Sequence, residues 1–153
     1  MVMVMVDGLL LGVHNANTPT DAEWAEYLAN SDAQLCRQAK ERVPCRQLIV
    51  TDGGGPNLEQ RRAAHRMTAG RRGRVAVVSE SGFVRFAVKA LTITNPDIRV
   101  YSSARMDEAL AYLGMGDASR VAEQVEGLRR KLTTPSRSGS PKKRKARGDV
   151  PVE

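Results

Sequence analysis

Aromatic residues are scarce in this chain: one Trp, three Tyr and two Phe among 153 residues, 4% of the whole. A core with so few rings has to be aliphatic. Cysteine is nearly as sparse. Cys36 and Cys45 form no CxxC pair and stand in no zinc-ligand spacing with His14 or His65, the two histidines of the chain. That pattern excludes a disulfide framework and leaves two reduced structural thiols. Long apolar runs are missing too. Nothing approaches the ~18 apolar residues of a membrane span, and the apolar opening, residues 1–13, lacks the basic region and small-residue cleavage site of a secretory signal. The expectation is a cytoplasmic location without membrane insertion. The phosphate-cradling patterns GxxxxGK[ST] and GxGxxG are absent, and no nucleophile, base and orienting partner group together. We therefore expect no enzyme, no cofactor and no metal site.

What is present fits one small domain. A chain of 153 residues suits a single core, and 41% hydrophobic with 27% charged residues is ordinary globular composition. The net charge of +7 is unevenly placed. Residues 133–153 hold six basic side chains against Asp149 and Glu153, or +4, so the longer remainder carries only +3. Composition divides the chain into an α/β domain over residues 1–116, an amphipathic helix over 117–132 and a basic tail over 133–153, too poor in core-forming residues to fold alone.

Alternating Met and Val in residues 1–6, the turn pair Asp7-Gly8 and a second apolar run predict a β-hairpin. Thr20-Asp21-Ala22-Glu23 has capping-box spacing and predicts a helix. Strands are expected at residues 46–52, 74–79 and 98–101. Between them, helices should start at Pro56, at Ser79 or Ser81, and at Ser102 or Ser103, the last stopping at Gly114. Strands alternating with helices imply a parallel or mixed sheet with helices packed on it. Beyond Asp117, residues Ala118, Val121, Val125, Leu128 and Leu132 recur at spacings of three and four, a short heptad seam. The seam predicts either docking on its own domain or self-association through Val121, Val125 and Leu128.

The order of these elements over residues 1–114, with Leu48-Ile49-Val50-Thr51-Asp52 entering a helix, Val75 to Val78 followed by Ser79-Glu80-Ser81-Gly82, and the closing Asp107-Glu108-Ala109-Leu110-Ala111-Tyr112-Leu113-Gly114, resembles the STAS domain of anti-sigma-factor antagonists. The resemblance implies a single α/β domain with an extra C-terminal helix, acting as a non-catalytic regulatory or scaffolding module. It also implies that a protein partner docks around the start of the second helix. In the phospho-switched members an Asp-Ser pair stands there; this chain has Asp52-Gly53-Gly54-Gly55, with no hydroxyl at the matching position.

The segment from Thr51 to Asn57 is the most distinctive in the chain. Strand, glycine loop and helix start are compatible with a tight connecting turn, a protein-contact loop or a small-anion site. The partner-contact reading takes in Asp52, Gly53, Gly54, Gly55, Asn57, Arg61, Arg62 and Arg66, the arginines forming a basic stretch on the following helix. In the tail, Lys142, Lys143, Arg144, Lys145 and Arg147 can bind nucleic acid or another polyanion weakly through phosphate contacts, act as a nuclear import signal in a eukaryote, or simply solubilise. Its lack of interleaved aromatics argues against base stacking. The rival to the regulatory module is thus a nucleic-acid-associated or self-assembling protein that uses this tail.

Overall fold

The computed structural model describes residues 1–92 and 96–133. Strands β1 (Val2–Val6) and β2 (Leu9–His14) form the expected hairpin. Asp7 and Gly8 both take positive φ, 48° and 79°, the backbone of a tight two-residue turn whose twist matches the strands. There follow α1 (Asp21–Glu41), β3 (Arg46–Thr51), α2 (Leu58–Thr68), β4 (Arg74–Val78), α3 (Gly82–Thr92), β5 (Ile98–Tyr101), a single 3-10 turn (Ser103–Arg105), α4 (Met106–Leu113) and α5 (Ala118–Thr133). The sheet order is β1-β2-β3-β4-β5; β1 is antiparallel to β2 and the remaining pairs are parallel. This is the mixed α/β sheet that the alternating pattern predicts.

Strand alternation sorts the side chains into two faces. Val6, Leu9, Leu11, Val13, Leu48, Val50, Ala76, Val78 and Tyr101 form one buried cluster with Ala109, Leu110 and Leu113 of α4 and Val121, Val125 and Leu128 of α5. This is the aliphatic core that the composition implies. The opposite face is more polar. There Tyr27 of α1 donates to Gln47 Oε1 at 2.8 Å, Ser31 donates to the same oxygen at 3.5 Å, and Gln34 Nε2 donates to the Gly8 carbonyl at 3.1 Å. Each of these buried polar groups therefore has a partner, as burial demands.

Two helix starts differ from the sequence reading. Helix α2 begins at Leu58, after Asn57 rather than at Pro56, because Asn57 Oδ1 accepts from Gln60 N and Gln60 Oε1 accepts from Asn57 N, a complete capping box. Neither Ser102 nor Ser103 caps α4: a 3-10 turn intervenes, and Ser102 makes no capping hydrogen bond with its side chain. The others follow the sequence: Thr20 and Glu23 form the capping box of α1, Ser81 Oγ accepts from Val84 N at 3.3 Å, and Asp117 Oδ1 accepts from Arg120 N at 3.0 Å. Gly114 ends α4 at φ 69°. No helix among the described residues is long and apolar enough to cross a membrane.

Candidate functional site

The glycine loop lies at the C-terminal ends of the parallel strands, where open α/β sheets ordinarily place their binding loops. Its three glycines do different work. Gly53 takes φ 130°, a conformation that side chains resist. Gly54 is pressed against the β2–α1 connection: a Cβ there would stand 2.1 Å from the Asn17 carbonyl oxygen and 2.5 Å from that of Asn15. Around Gly55 there is open space. The first two glycines are therefore needed by the turn itself, and only the third is bare.

Four main-chain donors of the loop are already engaged. Asp52 N donates to the His14 carbonyl at 3.1 Å, Gly53 N to Thr51 Oγ1 at 3.2 Å, Gly54 N to the Asn15 carbonyl at 3.1 Å and Asn57 N to Gln60 Oε1. An anion at these four amides would have to displace the bonds they make, bonds that belong to a connecting turn. The Asp52 carboxylate is held by Arg129 of α5 at 2.9 Å, a link that fastens the loop to a helix more than seventy residues away.

Helix α2 leaves most of its surface open. Gln60 is its one buried residue: its carbonyl accepts from Trp24 Nε1 at 2.8 Å, and its side-chain amide donates to the Pro19 carbonyl at 2.9 Å and Asp21 at 3.1 Å. Arg61, Arg62 and Arg66 are all exposed. Arg61 donates to the Pro56 carbonyl at 2.8 Å, and Arg62 pairs with Glu59 at 2.6 Å. The predicted loop and arginines are thus brought together on one helix and its entrance.

Sequence reasoning missed the apolar part of this surface. Leu58 is 53% exposed at the first position of α2, and Phe83 and Phe86 are 79% and 74% exposed on α3. The α3 entrance adjoins the glycine loop, since a Cβ on Gly53 would lie 3.8 Å from that of Ser81. A signal was available. Phe83 and Phe86 are the only phenylalanines of the chain, and α3 carries Val84, Ala87 and Val88 as well, more apolar residues than one packed face can cover.

The other predicted positions fall elsewhere. Val121, Val125 and Leu128 are 1%, 6% and 4% exposed inside the domain's own core, so a subunit contact through them would have to strip them from their own sheet. Lys142, Lys143, Arg144, Lys145 and Arg147 lie outside the described residues. Among the described residues no three His, Cys, Asp or Glu side chains gather as a metal site. Ser79 Oγ accepts from Ser81 N at 3.2 Å, so both serines serve the turn into α3. Burial pushes the Cys45 thiol up, away from thiolate. Burial pulls His14 below the ordinary histidine value and the amino terminus acts in the same direction, while the hydrogen bond to the Asn15 carbonyl and the carboxylates of Glu23 and Asp52 oppose them. His14 Nδ1 lies 2.7 Å from that carbonyl and Nε2 has no partner, the arrangement of a buried neutral ring. No family model matches the chain, and no curated protein or solved structure matches it significantly.

Proposed function

We propose that the protein is a non-catalytic regulatory or scaffolding module, of the kind its resemblance to anti-sigma-factor antagonists implies, and that it holds a protein partner on the glycine loop, α2 and α3. One observation carries the reading. Of the four large hydrophobic side chains exposed among the described residues, three, Leu58, Phe83 and Phe86, stand on the two helices that leave adjoining loops. Exposed aromatic side chains on one helix and exposed arginines on the helix that leaves the adjoining loop have the composition of a recognition patch, in which aromatics anchor and arginines steer and orient. The partner surface that fits is apolar at its centre and acidic at its edge, facing Arg61, Arg62 and Arg66.

The reading is tested with a photo-cross-linking residue placed singly at Leu58, Phe83 or Phe86, and in parallel at Glu123 or Gln124 on the exposed side of α5. In native cells the first three positions should trap one common protein that the last two do not. Trapping the same protein equally from α5, or nothing from α2 and α3, would remove the basis for the assignment.

A further inference from the structure

The five-stranded sheet has two outer edges, β1 and β5, and they are protected very differently. The β5 edge is four residues long, follows Pro96, and carries exposed Arg99 stacked over the Tyr112 ring at 4.1 Å. A short strand, a proline and a charge are the devices by which proteins discourage further strand pairing. β1 is one residue longer and has neither proline nor charge. Its five residues are Val-Met-Val-Met-Val, without charge, proline or glycine. Val2, Met3 and Val4 are half-buried, and Met5 is 43% exposed.

The hairpin fixes which main-chain groups are open. With a two-residue turn, Val6 and Leu9 close the ladder as a hydrogen-bonded pair, so Val4 with Leu11 and Val2 with Val13 are hydrogen-bonded pairs too. The N–H and C=O groups of Met3 and Met5 therefore point away from β2, to the outer edge.

We propose that this edge pairs with β1 of a second copy of the chain, antiparallel about a two-fold axis, joining the two sheets into one. The argument for a second copy is self-complementarity. A two-fold contact brings one patch against itself, and antiparallel pairing with matched alternation sets valines beside valines on the α4/α5 side and methionines beside methionines on the α1 side. No charge along either strand is left without a partner. Asp7, paired with Arg120 at 2.9 Å, stands past the strand end. A five-residue edge is smaller than a standard interface of ~1,600 Å², so the dimer dissociates on dilution.

Sedimentation velocity of the full chain over a concentration series reads this directly. The wild type should pass reversibly from monomer to dimer. Met5→Lys places a charge on an exposed edge position, and Met3→Pro deletes an outward N–H that the β1–β2 ladder does not use. Both should keep the wild-type circular dichroism and weaken dimerisation by about tenfold or more. Val4→Pro, which removes a ladder bond to Leu11, should disrupt the hairpin instead. A wild type that stays monomeric throughout, or folded Met5→Lys and Met3→Pro variants that dimerise as the wild type does, would overturn the proposal. Neither result bears on the partner surface of α2 and α3.

Discussion

Replacing Gly53, Gly54 and Gly55 singly with Ala should give three different results, although the sequence presents them as equivalent. At Gly54 the new methyl meets main-chain oxygen at 2.1 Å and 2.5 Å, which no side-chain rotation can relieve. The loop has to back away from residues 15–17, overpacking that costs about 1–3 kcal/mol. It also stretches the Gly54 N to Asn15 bond of 3.1 Å, worth about 1 kcal/mol more. A total of about 2–4 kcal/mol corresponds to a Tm lower by roughly 8–16 °C at about 4 °C per kcal/mol for a domain of this size. At Gly53 the methyl has room, but φ 130° disfavours it, costing about 1–3 kcal/mol. At Gly55, with ordinary φ and nothing nearby, Ala should be neutral or stabilise by up to about 1 kcal/mol through the unfolded chain. Calorimetry of the three variants checks the ranking. Equal destabilisation at all three, or a harmless Gly54→Ala, would refute the packing of the loop on the β2–α1 connection. Gly55 is thus the glycine to alter when the binding role proposed for the loop is probed without disturbing the fold.

Other consequences are equally concrete. Leu128→Ala, in the core with β1 and β2, should cost about 2–5 kcal/mol at unchanged light-scattering mass, whereas a subunit seam would lose mass first. His14 has its folded pKa below the ordinary 6.5, so the unfolded chain binds the extra proton between those two values. The His14 contribution to stability should therefore be constant above about pH 6.5 and fall as pH drops below it, and His14→Gln should flatten that part of a denaturant-midpoint titration. For the tail, DNA affinity measured by fluorescence anisotropy should fall with salt at a log–log slope near −4.5 if about five cations engage phosphate. Truncation at Thr133 should abolish most of that dependence.

The element order and most boundaries are legible in the sequence because hairpin turn, capping box and alternation are local signals. Thr20 with Glu23 and Asp7 with Gly8 each act within four residues. Where two local signals compete, the reading slips: Pro56 and Asn57 both announce a helix, and the reciprocal bonds between Asn57 and Gln60 decide for Asn57. What is not legible depends on segments far apart in the chain. The clasp between Asp52 and Arg129, the seat of Gly54 on residues 15–17, and the burial of Gln47 beneath Tyr27 arise only when the sheet forms. The heptad seam shows the same limit. Its spacing predicts an apolar stripe correctly, but only the folded sheet reveals that β1 and β2 are what the stripe covers. The exposure of Phe83 and Phe86 is not legible either, because an apolar helix does not show in its own sequence which of its residues the sheet leaves uncovered.

The most direct measurement is the affinity of the protein trapped from Phe83 for three folded forms of this chain: the wild type, the double variant Phe83→Ser with Phe86→Ser, and Gln124→Ser on α5. Anchoring aromatics contribute about 2 kcal/mol or more each, so the double variant, losing about 4 kcal/mol, should bind about a thousandfold more weakly while its Tm holds, and Gln124→Ser should match the wild type. Equal affinity of the double variant and the wild type would contradict the assignment of α2 and α3 as the partner surface.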